Sequence, residues 1–177
     1  MHPIENMTVE IIHVSTADEI AAIERLAHEI WTQHFTPIIG ASQVLYMLEK
    51  YQSAEAILSQ INSGWEYYLV IDDNEMVGYS ALVPDIDAKK LMLSKIYVKK
   101  TARGKGVGNA ILDFVERRCK LEGLSTLWLT VNRFNYDPIS WYERRGFVTI
   151  DEVKKDIGGD FFMDDYVMER KIKVENT

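Results

Sequence analysis

Residues 91–108 read Leu91-Met92-Leu93-Ser94-Lys95-Ile96-Tyr97-Val98-Lys99-Lys100-Thr101-Ala102-Arg103-Gly104-Lys105-Gly106-Val107-Gly108. Leu91 to Val98 has the aliphatic and aromatic content of a strand. Arg103 to Gly108 is a polar, glycine-containing turn. Behind it Val107, Ala110, Ile111, Phe114, Val115 and Cys119 recur on one face of a helix that Gly123 closes. Glycines at a helix entry let the main chain approach a ligand closely and leave amide N–H groups pointing outward, and the helix adds the positive end of its dipole. The segment therefore suits a phosphate. Neither of two common phosphate loops fits: no Gly-Lys-Ser/Thr follows to hold a metal-bound nucleotide, and the spacing is not GxGxxG within a βαβ unit.

Working outward, Thr8 to Val14 alternates as an opening strand, and Ser15 or Thr16 caps a helix carrying Ile20, Ile23, Ala27, Ile30 and Trp31. A second helical stretch covers 41–61. Trp65 to Ile71 and Met76 to Val83 form a hairpin turned at Asp72 to Glu75. Asp113 to Arg117 and Glu116 to Lys120 are spaced to pair along the outer face of the 107–122 helix. Thr126 to Val131 is a strand, Asp137-Pro138 reads as an N-cap with proline at the first helical position, and that helix ends at Gly146. Val148 to Val153 and Phe161 to Lys171 close the chain around a turn at Gly158-Gly159. The order predicts an α/β architecture of mixed layers with about seven strands and about four helices, one domain over 1–173 and a loose tail at 174–177.

With 177 residues, 47% of them hydrophobic, one sizeable core is expected. No signal-peptide pattern opens the chain, no window is apolar enough to span a bilayer, and Cys119 is the lone cysteine, so a cytoplasmic protein without membrane association or disulfides is expected. A formal charge of −7 argues against a general nucleic-acid binder. Lys99, Lys100, Arg103, Lys105, Arg117, Arg118 and Lys120 nevertheless cluster in sequence, as a pocket for a small polyanion or as a solvated helix face would. The acidic remainder favours a cationic second substrate. No His/Cys/Asp spacing suggests a metal site.

Two motifs carry a resemblance to a known family. Arg103-x-x-Gly106-x-Gly108 after Ile96-Tyr97-Val98 resembles the acetyl-CoA pyrophosphate motif of the GNAT superfamily of N-acetyltransferases. The second signature is Val131-Asn132-x-x-Asn135 followed by Tyr142-Glu143-Arg144-Arg145-Gly146-Phe147. The resemblance implies a splayed mixed sheet and acetyl-CoA as co-substrate. It implies that the backbone around Tyr97, at Ile96 and Val98, pairs with the pantetheine arm, and that amides of Arg103, Gly104, Lys105, Gly106, Val107 and Gly108 hold the pyrophosphate. Asn135 would bond the pantetheine, and Tyr142 would give a proton to the departing thiolate, as a phenol near sulfur can. Pro138 departs from the small residue many relatives carry there.

The strand from which several relatives project a general base offers only Met92 and Ser94, so the base must lie elsewhere. His34 is the first alternative, because its imidazole titrates near neutrality and the resemblance places it in the acceptor half. Glu66, Asp164 and Asp165 are further candidates. Trp31, Phe35, Tyr46, Trp65, Tyr67 and Tyr68 either line a pocket for a cationic amine or pack the core. Gly158 to Met168 is similar to the ending of polyamine-acetylating bacterial members, which implies a polyamine or other small cationic amine as acceptor. Acetylation of a protein N-terminus or lysine, and a non-catalytic CoA-binding sensor or interaction module, are the alternatives. Splayed sheets of this kind also permit a homodimer through an exposed edge.

Overall fold

Local signals set most of the elements. In the computed structural model, which describes residues 9–174, β1 (Val9–His13) leads into α1 (Ala17–Ile39). Thr16 is the cap: its hydroxyl accepts from the Glu19 N–H at 3.2 Å, and the Glu19 carboxylate accepts from the Thr16 N–H at 2.9 Å. This reciprocal pair satisfies donors that the first turn leaves open. Thr8, where the opening strand was expected to start, and residues 175–177 of the expected tail lie outside the described residues.

The stretch read as one helix over 41–61 is two, α2 (Ala41–Tyr51) and α3 (Ala54–Asn62). Ser53 makes the break, because its hydroxyl accepts from the Ala56 N–H at 3.2 Å and starts a new helix. β2 (Glu66–Asp72) and β3 (Glu75–Asp85) form the expected hairpin, turned by Asp73 and Asn74 at positive φ of 51° and 64°. β4 (Lys90–Val98), α4 (Val107–Glu122) and β5 (Thr126–Asn132) follow. α5 (Tyr136–Arg144) is capped at Asn135, not Asp137, so Pro138 is its third residue. The missing proline N–H falls in the first turn, where no intrahelical acceptor exists for it. β6 (Val148–Gly158) runs well past the expected end at Val153 and turns back into β7 (Phe161–Lys171).

Among the described residues five helices, one more than expected because Ser53 splits the 41–61 stretch, thus flank a seven-stranded sheet of order β1-β2-β3-β4-β5-β7-β6. All neighbours are antiparallel except β4 and β5. That parallel pair is in register only from Lys90–Thr126 to Met92–Trp128, after which the strands part. On its other side β4 stays paired to β3, with a bulge where Lys95 faces Ala81 and Leu93 faces Leu82, leaving Ser94 between them. The result is a sheet opened like a V at its middle.

Each face has its own core. α4 and α5 cover Leu91, Leu93, Leu127, Leu129 and Met168, with Ile111, Leu112, Val115 and Cys119 buried beneath α4. α1, α2 and α3 cover Tyr67, Leu69, Tyr79 and Ala81 with Ile23, Ile57 and Leu48. Burying each such aliphatic side chain contributes about 1.5–3 kcal/mol. The i,i+4 pairs expected along α4 give way to longer-range partners: Asp113 pairs with Arg145 at 2.9 Å, and Glu116 with Arg170. Arg118 does pair with Glu122 at 2.8 Å and also reaches Glu66 on β2. Among the described residues no helix is long and apolar enough to cross a membrane.

Candidate active site

Where β4 and β5 part, a cleft of about 480 Å³ opens on the α4–α5 side. Ile96, Tyr97 and Val98 form one wall, and Arg103, Gly104, Gly106, Val107 and Gly108 the floor at the entry of α4. Asn135 and Tyr142 of α5 stand opposite. These are the residues that the two sequence motifs single out; Lys105 is exposed and does not line the cleft.

The floor is built for an anion. Gly104 and Gly106 hold φ of 76° and 82°, a left-handed conformation that would cost a residue with a side chain about 1–2 kcal/mol. α4 has neither a side-chain cap nor an acidic residue in its first turn. The first bond back into the helix is from the Ala110 N–H to the Gly106 carbonyl at 3.0 Å. The amides from Gly104 to Asn109 make no bond of ordinary geometry within the described residues, although 103–106 run as a turn, and can be offered to an outside partner. The basic cluster of the sequence does not gather here. Lys99 turns to Glu29 at 3.3 Å and Arg118 to Glu66 at 2.5 Å, so of that cluster only Arg103 lines the cleft.

Arg103 is fixed by donation from Nε to the Val98 carbonyl at 3.1 Å, and its Nη1 lies 3.5 Å from His34 Nδ1. His34 Nε2 in turn lies 2.7 Å from Asn135 Oδ1. A guanidinium only donates and an amide oxygen only accepts, an arrangement that suits the neutral ring protonated at Nε2. Burial lowers the imidazole's pKa, the Asn135 bond raises it and the Arg103 charge lowers it again, for a net value below that of an ordinary histidine. His34 lines this cleft with both nitrogens engaged and has no place in the second cavity described next. Tyr142 is 6% exposed and packs on Trp141 and Phe147 at ring separations of 5.2 and 5.5 Å. Burial raises its pKa far above that of a free phenol, so at neutral pH it keeps its proton.

A second cavity of about 410 Å³ lies on the opposite side of the sheet, under α1 and α2. Phe35, Ser94, Tyr97, Thr130 and Asn132 line both cavities, which therefore meet across the opened sheet. The β6–β7 hairpin supplies Val153, Lys155, Met163 and Asp165 to its wall. α2 pins that hairpin: Tyr46 donates to the Ile157 carbonyl at 2.6 Å and Gln43 Nε2 to the Phe162 carbonyl at 2.9 Å. Of the aromatic residues considered from sequence, Trp31, Phe35 and Trp65 line the cavity. Tyr46 holds the hairpin, Tyr67 is fully buried, and Tyr68 sits in the core on the other face.

Met92 and Ser94 do face the second cavity, without a carboxylate between them. Glu66 is taken up by Arg118 at 2.5 and 2.9 Å and by the Tyr68 hydroxyl at 2.9 Å. Burial alone would raise its pKa, but the Arg118 and Tyr68 bonds bring it below the ordinary carboxylate value. Asp164 pairs with Arg133 at 2.8 Å. Asp165 is different: it is 7% exposed, lines the cavity and has no hydrogen-bond or ion-pair partner for its side chain among the described residues. Lys95 was missed in the sequence, although a lone lysine inside the apolar run Leu91 to Val98 was a signal. Its ammonium, 5% exposed, donates to the Tyr51 carbonyl, Gln60 Oε1 and the Tyr67 hydroxyl at 2.6, 3.2 and 2.5 Å.

A sheet opened between two parallel neighbours, with a main-chain anion floor on one side and a second cavity through the gap, defines a class of CoA-dependent acyltransferases. The profile of the acetyltransferase (GNAT) family matches residues 23–147, and the chain belongs to that family of N-acetyltransferases. An uncharacterized N-acetyltransferase of the pepI 3′ region of Lactobacillus delbrueckii subsp. lactis is 28% identical over 153 residues, 81% of this chain and 87% of that one. PaiA N-acetyltransferase from Thermoplasma acidophilum, solved in complex with coenzyme A, superposes with a TM-score of 0.76 at 25% identity, covering 93% of this chain and 99% of that one. The ribosomal-protein-S18-alanine N-acetyltransferase of Escherichia coli shares the fold at a TM-score of 0.71 and 18% identity, over 95% and 96% of the two chains.

Proposed function

We propose that residues 1–173 act as one cytoplasmic catalytic domain that moves an acetyl group from acetyl-CoA directly onto a small cationic primary amine, polyamines included among the candidates. The meeting of the two cavities at Phe35, Ser94, Tyr97, Thr130 and Asn132, with Tyr142 lining the first of them, carries this reading. Acetyl-CoA supplies the activated thioester. The edge of β4 that parts from β5 turns the main chain at Ile96 and Val98 to the cleft, where it can pair with the two amides of a pantetheine arm as an added strand would, the Val98 carbonyl sharing its acceptor with Arg103 Nε. The amides of residues 104–108 and the Arg103 guanidinium receive the pyrophosphate; the Arg103 amide itself donates to the Lys100 carbonyl at 3.3 Å. Asn135, whose oxygen is held by His34, keeps its NH2 for a pantetheine carbonyl.

Tyr142 donates its phenol proton to the departing sulfur. Burial keeps that proton in place until charge develops beside it. Direct transfer is favoured over an acetyl-enzyme because Cys119 is 0% exposed beneath α4, lines neither cavity and has its thiol pushed up to about 11, by burial first and then by the nearby Glu116.

Thiol release from acetyl-CoA over a panel of amines, aminoglycosides, amino acids and short peptides tests the reading. Acceptor-dependent release should fall about 100-fold or more in Tyr142→Phe, with acetyl-CoA binding retained. A Tyr142→Phe enzyme as fast as wild type would remove the acid role. Binding of acetyl-CoA without release on any acceptor would leave a non-catalytic CoA-binding module.

A further inference from the structure

Asp165 has no part in the reading so far. Its Cα stands opposite Asn132 of β5 and Val153 of β6, on the sheet face that lines the second cavity. Asp165 is only 7% exposed as a residue, and its carboxylate has no partner among the described residues; an ammonium brought against such a half-desolvated carboxylate relieves the penalty of leaving it unpaired. The other candidate carboxylates are already neutralised by Arg118 and Arg133. Around Asp165 the wall is apolar and aromatic, with Trp31, Phe35, Met47 and Trp65. The other amine side chains in the wall are Lys155 and Lys95, the second with its donors committed to Tyr51, Gln60 and Tyr67 and the pKa of its ammonium brought down to about 7 by burial. A second ammonium on the acceptor would meet those lysines with no other carboxylate among the lining residues.

We propose that the second cavity takes a primary amine carrying a single ammonium on an apolar body, and that Asp165 binds that ammonium and removes its proton. The proposal rests on the transferase reading above and narrows its acceptor. Asp165 accepts one proton from R–NH3⁺, leaving a lone pair on nitrogen. That nitrogen attacks the thioester carbonyl carbon; the C–N bond forms, the C–S bond breaks, and sulfur keeps the bonding pair. Tyr142 protonates the sulfur, and its phenolate takes the second proton from the nitrogen that becomes the amide. Asp165 returns its proton to solvent, so the sum is ammonium plus acetyl-CoA giving N-acetylamine, CoA thiol and one proton. Tyr97 lines both cavities between these two groups, and its phenol is kept protonated by burial, then by the neighbouring Tyr142 and Asp165.

The pH dependence follows from the groups that face Asp165. Asp164 adjoins it on β7, Tyr97 and Lys95 face it from β4, Lys155 from β6 and Tyr51 from α2; α1 and β5 present no titratable side chain to the cavity. Burial first, and Asp164 second, push Asp165 up to about 6, so it is mostly ionised at neutral pH and loses its capacity as a base as pH falls through that value.

The test is kcat/KM for phenethylamine and for spermidine between pH 5 and 9 in wild type, Asp165→Asn and Asp165→Glu, with the melting shift caused by acetyl-CoA measured on each. Wild type should prefer phenethylamine and show an acidic limb near pH 6. Asp165→Asn should lose about 100-fold or more at pH 7 and lose that limb, its residual rate rising with the neutral fraction of the amine. Its acetyl-CoA shift should match wild type, and Asp165→Glu should recover part of the rate. Equal rates and equal limbs in wild type and Asp165→Asn overturn the base, and a preference for spermidine overturns the acceptor class. If Asp165→Asn does not fold, the wild-type profile decides, because the absence of an ionisation near pH 6 is enough to reject the proposal. No release by wild type on any amine overturns the transferase reading itself, and this proposal with it.

Discussion

Lys95 is a residue whose chemistry its surroundings alter strongly. Burial pulls its ammonium from the ordinary 10.5 down to about 7, although three oxygens within hydrogen-bond distance work the other way. Between about pH 7 and 10.5 the unfolded chain binds a proton that the folded chain has released, so this group makes stability rise with pH across that window. Below about 7 both states are protonated and the penalty stays at its full value. In Lys95→Met the acceptors on Tyr51 and Gln60 lose their donor at every pH, which is a constant offset. Thermal melts should therefore show wild type gaining on Lys95→Met from pH 7 to 9; parallel curves would show that Lys95 stays charged. The sequence offers one signal of this, a lone lysine in an apolar strand, and nothing in it names the partners on Tyr51, Gln60 and Tyr67. Arg103, Asn135 and Tyr142 were visible, because local motifs fix them by spacing.

The decisive element is β4, held by β3 along its whole length and by β5 only at its start. Gly78 makes the first contact close. A Cβ there would lie 2.3 Å from the Tyr97 carbonyl oxygen, a main-chain atom that cannot swing aside. Gly78→Ala should push β4 toward the cleft, destabilise the protein by about 1–3 kcal/mol in urea unfolding and weaken acetyl-CoA binding. Unchanged stability and binding would mean that β3 yields instead. Element types were readable because the 107–122 helix, the 66–85 hairpin and the last two strands each carry their own periodicity and turn residues. Boundaries were less so. Ser53 splits a helical stretch that is apolar on both sides, Asn135 caps α5 where Asp137-Pro138 is the stronger local signal, and Asp113 and Glu116 pair with Arg145 and Arg170. Each outcome depends on a partner or a competing cap that periodicity does not weigh.

Taken as a whole, the molecule is two half-sheets joined at the short β4–β5 contact, and a ligand lying in the cleft touches both halves. Acetyl-CoA at 100 times its Kd should stabilise the fold by about 2.7 kcal/mol. For a chain of this size that is a rise in Tm of about 5–11 °C, readable by differential scanning fluorimetry. An unmoved transition at saturating acetyl-CoA would sink the assignment of the cleft. Element types, the glycine-rich entry of α4 and the family were all readable from the chain alone, because strand alternation, helical spacing and glycine turns act over a few neighbouring residues. Only the tertiary structure decided that β4 and β5 part after Met92 and Trp128 and that two cavities meet there. It also decided that the sequence-clustered lysines and arginines, Arg103 apart, leave the cleft, and that Asp165 and Lys95 enter the second cavity from β7 and β4. Those facts rest on strand order and on which side chains meet across a gap, and contacts between residues far apart in the chain leave no periodic trace in it.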